Sequence, residues 1–136
     1  MDLLSSPAIR ALEKSMQASS LRQEVIADNV ANLNTPGFKR AAVSFEEEYR
    51  RAAQERSSLA LVTTNPQHMK NIPDMANVEP RIIYDTTTSM RPDGNNVNLE
   101  EEMVDLAMNT FNYQFLSQQL SKRITMLGHV ISEGRR

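Results

Sequence analysis

Side chains that could do chemistry are few in this 136-residue sequence, and their spacing assembles no reactive constellation. The two imidazoles, His68 and His129, lie far apart, and neither belongs to a cluster with metal-ligand spacing. His129 reads as a complement to the negative end of a helix dipole, and His68 as a loop residue. Cysteine is absent, which excludes disulfides, thiol nucleophiles and thiolate metal sites. The acidic runs at 46–48 and 100–102 offer carboxylates for acid and base work, but consecutive helical residues point in different directions. They read as solvated faces or caps. No serine sits in a G-x-S-x-G turn, and four glycines in the whole chain make no phosphate-cradling loop. The eight methionines fit adaptable packing positions. The expectation is a protein that is not an enzyme and has no catalytic residue, cofactor or metal.

What remains is a set of elements with little chemistry to position. Residues 7 to 33 form the first expected helix, opened by Pro7 after a Ser5 or Ser6 cap. It is closed by Asn34-Thr35-Pro36-Gly37, where Pro36 removes an amide donor and Gly37 tolerates positive φ. Steps of three and four mark an apolar seam through Ile9, Leu12, Met16, Ile26, Val30 and Leu33, with Ser19 and Gln23 in phase. A second helix is expected from Asn98 to about residue 132, with Asn98 as cap and Glu101 reaching back to it. Its seam runs through Met103, Leu106, Tyr113, Leu120, Ile124, Leu127 and Ile131. At 1.5 Å per residue it would be about 50 Å long, overhanging the first helix by roughly two turns. Gly128 is its weak point, costing about 1 kcal/mol relative to Ala.

The chain between them reads as an irregular middle, with a short amphipathic stretch over 44–56 and prolines at 66, 73, 80 and 92. Two strand-like runs, 59–63 and 81–84, are expected to pair, and Pro92-Asp93-Gly94-Asn95 is a turn. The expected fold is mainly α: two long terminal helices packed as a coiled-coil-like antiparallel pair, with room in the middle for a short helix and a small β-hairpin. The chain divides into residues 1–37, 38–97 and 98–136, the first and last forming one helical assembly unit.

Composition points the same way. Aromatics make up 5% of residues and apolar residues 40%, so a large core is out of reach and the stripes need partners. Fifteen basic against seventeen acidic residues leave no basic footprint for nucleic acid. No apolar run is long enough to insert in a membrane, and the first thirty residues lack the apolar stretch of a cleavable secretory signal.

The run Asp28-Asn29-Val30-Ala31-Asn32-Leu33-Asn34-Thr35-Pro36-Gly37-Phe38-Lys39 resembles the N-x-A-N-x-x-T-P-G-aromatic-K pattern of the bacterial flagellar basal-body rod protein family. Asn29, Ala31, Asn32, Thr35, Pro36 and Gly37 carry the match, with Phe38 in place of the commoner tyrosine. The stretch from Asp93 to Glu102, followed by Asn112-Tyr113-Gln114, is similar to the proximal rod members, although Asn98-Leu99 stands where an acidic residue often follows the valine. The resemblance implies a structural subunit at the proximal end of the periplasmic rod, transmitting torque, surrounding the export channel and needed for flagellum assembly and motility. It also implies export through the flagellar type III apparatus. Implied partners are further copies of the chain, other rod proteins, the basal-body adaptor and the export gate. The alternatives are another short rod protein and a cytoplasmic helical-hairpin adaptor.

Overall fold

The computed structural model describes residues 6–57, 78–87 and 91–133. Five elements follow in order: α1 (Pro7–Ala31), β1 (Ala41–Ser44), α2 (Glu46–Ser57), β2 (Arg81–Tyr84) and α3 (Leu99–Glu133). Ser6 caps α1 as expected, its Oγ accepting from the Ile9 amide at 3.4 Å with Pro7 in the first turn. At the other end Asn32 turns its side-chain amide back to the Asp28 carbonyl at 2.9 Å, and Gly37 adopts φ +72°. The helix ends because its last carbonyls find side-chain donors while Pro36 offers no amide to continue the ladder.

The strand at 81–84 forms where expected, and its partner among the described residues is a segment the sequence did not mark. It pairs antiparallel with Ala41–Ser44, Ala41 opposite Tyr84 and Ser44 opposite Arg81. Residues 59–63 lie outside the described residues. Residues 40–44, Arg-Ala-Ala-Val-Ser, lack the polar alternation that flags a half-buried strand. Their pairing is instead set by α1, against which β1 packs. The short helix appears where the amphipathic stretch placed it, opened by three glutamates that favour its positive end. Phe45 and Tyr49 stack at its start, ring centroids 5.2 Å apart.

The two long helices pack against each other, and two polar contacts fix their direction. Ser19 meets Asn109 and Asn29 meets Glu102, so the helices run antiparallel. The α1 face that closes on α3 and β1 carries Ala18, Ser19, Val25, Ile26 and Asn29, all buried. It shares Ser19 and Ile26 with the apolar seam; Ile9, Leu12, Met16, Val30 and Leu33 lie on its flank, half-buried. Hydrophobic stepping follows large apolar residues, whereas this interface is built from short ones that let backbones approach. Among described residues the buried apolar set is seven side chains, of which Ile26 and Phe45 are the bulkiest. No described helix is long and apolar enough to cross a membrane.

Candidate functional site: a polar junction and a half-covered helix

The two sequence motifs, some sixty residues apart, dock onto each other. Gly94 takes φ +83° in the turn at 92–95, and a Cβ there would stand 3.8 Å from the Gly37 Cα. The Gly37 amide donates to the Asp93 carbonyl at 2.9 Å, and Lys39 Nζ to the Gly94 carbonyl at 2.8 Å. Asn95 sits at the centre, fully buried. Its amide nitrogen reaches the carbonyls of Asn32, Leu33 and Thr35 at 3.1, 3.1 and 2.9 Å, and its Oδ1 accepts from the Val97 amide at 2.8 Å. One side chain thus satisfies the end of α1 and shapes the approach to α3. Asn96 continues the seal: its Oδ1 accepts from the Arg40 amide at 2.6 Å and its Nδ2 donates to the Asp85 carbonyl at 2.9 Å.

A second layer surrounds Asn29. Its Oδ1 accepts from the Ala41 amide at 3.0 Å and its Nδ2 donates to the Ala41 carbonyl at 2.8 Å, so the side-chain amide imitates a neighbouring strand. The same nitrogen reaches Glu102 Oε2 at 3.1 Å. Glu102 is fully buried, and its other oxygen accepts from Arg40 Nε. Arg40 also donates to Asp105 at 2.8 Å and lies 3.6 Å from Glu101. Burial opposes the Arg40 cation, but the hydrogen bond and charge of Glu102, then Glu101 and Asp105, outweigh it and hold the guanidinium above its usual pKa. Removing Arg40 would leave the buried Glu102 carboxylate with only the Asn29 amide, whereas an Arg40 without Glu102 keeps Asp105 and Glu101 and part of its water.

Two sequence expectations change here. Glu102 was expected to be solvated; it is buried because the phase of the α3 stripe, counted back from Leu106 and Asn109, carries it to the face that meets α1. Glu101 does not close the capping box, because Arg40 offers a cation in place of a neutral amide. Asn98 caps α3 alone, accepting from the Glu100 amide at 3.1 Å. Arg40, Asn95, Asn96 and Asn109 were not singled out as site residues. Of the matched motif, Asn29, Asn32, Thr35 and Gly37 join the junction, while Ala31 and Pro36 are exposed.

Helix α3 emerges from this junction apolar on two opposed faces. Stepping about 100° per residue, Leu106, Asn109, Tyr113, Leu116 and Leu120 lie on the side of Glu102, facing α1. Leu106, Leu116 and Leu120 are half-buried there and Tyr113 is 39% exposed. Beyond the start of α1 the same face continues into solvent with Ile124 and Ile131 exposed and Leu127 half-buried. On the opposite face Val104, Met108, Phe111 and Phe115 are 58–72% exposed, and Met103 on the flank is exposed too. Nothing in the three-and-four seam foretold this second stripe. Beside it, a cavity of about 260 Å³ opens among Ser15, Arg22, Phe45, Glu46, Phe115 and Leu116, bridged by an Arg22–Glu46 ion pair at 2.6 Å.

Comparison with known proteins places these features. Residues 9–39, which span α1 and the helix stop, match the family described as flagella basal body rod protein. The chain is 33% identical over 132 residues to the flagellar basal body rod protein FlgB of Bacillus subtilis, covering 97% of this chain and 98% of that one. It is 31% identical to FlgB of Escherichia coli, covering 93% and 94%, and 38% identical to FlgB of Borrelia hermsii over 102 residues, covering 72% and 76%.

Proposed function

The chain belongs to the FlgB family of flagellar basal body rod proteins, and on that premise we propose that it forms the proximal part of the periplasmic rod, as a structural subunit whose helices are completed by neighbours. The observation that carries this reading is α3: a helix apolar on two opposed faces is stable only when both are covered, and α1 covers one. In this reading the helices of residues 1–37 and 98–136 nest with those of adjacent subunits around the export channel. The polar junction gives the subunit its stiffness. Torque passed along the rod must not shear α1 from α3, and an interface fixed by hydrogen bonds of defined geometry resists sliding where an oily one would slip. The subunit travels through the flagellar type III apparatus and meets other rod proteins, the basal-body adaptor and the export gate.

Phe111→Asp tests it, because Phe111 is 72% exposed and touches no part of the fold's interior. The variant is expected to be exported and to keep the wild-type circular dichroism spectrum, yet to give cells without rods that do not swim. Normal rods and swimming from that variant would sink the proposal.

A further inference from the structure

The two-stranded sheet has one edge closed and one open. The Asp85 amide donates to the Arg40 carbonyl at 2.9 Å, so Arg40 and Asp85 form a hydrogen-bonded pair, and by alternation Ala42–Ile83 and Ser44–Arg81 do too. The residues between them turn their backbone groups away from the other strand. On β1 that residue is Ala41, and the Asn29 side chain closes both its amide and its carbonyl. On β2 the outward residues are Ile82 and Tyr84, whose amides and carbonyls nothing closes among the described residues. The side chains of this edge are uncovered as well, Ile82 by 43%, Ile83 by 54% and Tyr84 by 66%. Sheets blunt such an edge with charge, proline, a bulge or a cover, and β2 has Pro80 and Arg81 at one end only.

We infer that the open edge of β2 pairs with the same edge of a second copy of this chain, antiparallel and centred on Ile83, to make a four-stranded sheet in the order β1-β2-β2-β1. Outward backbone groups must meet outward ones, so a two-fold pairing sets Ile82 opposite Ile82, Tyr84 opposite Tyr84, or Ile82 opposite Tyr84. The first puts Arg81 against Ile83 and sets Pro80, which has no amide, against Tyr84. The second puts Asp85 against Ile83. The third sets Ile82 on Tyr84 along one face, and Ile83 on Ile83 with Arg81 on Asp85 along the other. Apolar meets apolar throughout, and an opposite-charge pair closes each end. The Asp85 carboxylate is already steadied there by the Thr87 amide at 2.9 Å and hydroxyl at 2.8 Å.

This contact does not rest on the rod-subunit reading. A surface paired with itself closes at two copies, whereas a rod grows by contacts that do not close. The pair therefore belongs to chains outside a rod, where it covers a strand edge otherwise open to pairing with any extended chain. Two four-residue strands bury far less than a stable interface needs, so the pair is weak and forms at high concentration.

The sequence has no cysteine, so a single thiol on the two-fold axis traps the pair. In this register the two Ile83 residues face each other with Cα atoms about 4.5 Å apart, within the reach of a disulfide. The full chain carrying Ile83→Cys, concentrated and oxidised, is expected to give a disulfide dimer. Adding Arg81→Glu, or instead Asp85→Arg, sets like charges against each other at both ends and is expected to lower the yield severalfold. Mixing those two double variants is expected to bring it back, because both ends of the mixed pair again join opposite charges. Absence of the Ile83→Cys dimer would mean that the edge is covered within its own chain. A yield indifferent to the charges, or one that does not recover on mixing, would mean that the thiols meet by random collision. Each of these results overturns the pairing, and since none of them scores rods, the rod-subunit reading stands or falls separately.

Discussion

Asparagine does at the junction what no apolar residue could. Asn95 has two amide hydrogens for three carbonyls at the end of α1 and an oxygen for the buried Val97 amide, so its removal takes one donor from that helix end and leaves the Val97 amide without its acceptor. Asn95→Ala is expected to lower stability by about 2–3 kcal/mol, since an unsatisfied buried group costs about 1–3 kcal/mol and the three carbonyls keep other donors. Asn95→Asp should cost at least as much, because it places an oxygen against three carbonyl oxygens. Urea unfolding followed at 222 nm checks both, and an Asp variant as stable as wild type would show that the amide hydrogens contribute nothing. Asn29 makes the same kind of case by imitating a strand towards Ala41, as do Ser19 and Asn109, which exchange reciprocal bonds at 2.8 and 2.9 Å across the helix pair.

At the scale of the element, α3 is a long helix held firmly at one end. Its start is tied by Asn98, Glu101, Glu102 and Asp105, while towards its other end Ile124, Met126, Val130 and Ile131 are exposed. Isolated helix of a few turns is marginal in water. Gly128 lies within this end, its backbone is not in the left-handed region, and a Cβ there would meet nothing within 4 Å. Gly128→Ala is therefore expected to stabilise the helix by about 0.5–1 kcal/mol and to raise helical ellipticity in the unassembled chain. Unchanged or reduced ellipticity would mean that this end is held by contacts beyond its own propensity.

For the whole molecule, a buried apolar set of seven side chains among the described residues and a helix uncovered on its back leave folding and assembly coupled. Dilute purified chain should show less helix than α1, α2 and α3 contain, and helicity should rise with concentration or with added rod partners as sedimentation detects association. A fully helical monomer indifferent to concentration and partners would separate folding from assembly. The polar junction, being internal to one chain, is expected to form before contacts between copies, because it needs no second molecule.

The sequence by itself determined the two long helices, their caps and stops, the glycine turns at 37 and 94, the short middle helix and, through the motif at 28–39, the family. Each of these is local: a proline without an amide, a glycine free to take positive φ, or a stripe repeating every three or four residues. Tertiary structure alone decided that residues 81–84 pair with 41–44, that Glu102 is buried against Arg40 and Asn29, that Asn95 closes the end of α1, and that α3 has a second apolar face left in water. Periodicity reports how apolar a face is, but a hydrogen bond between residues sixty or seventy positions apart depends on where folding places both partners. The partner of a buried charge is therefore invisible until the helices that carry it have been set side by side.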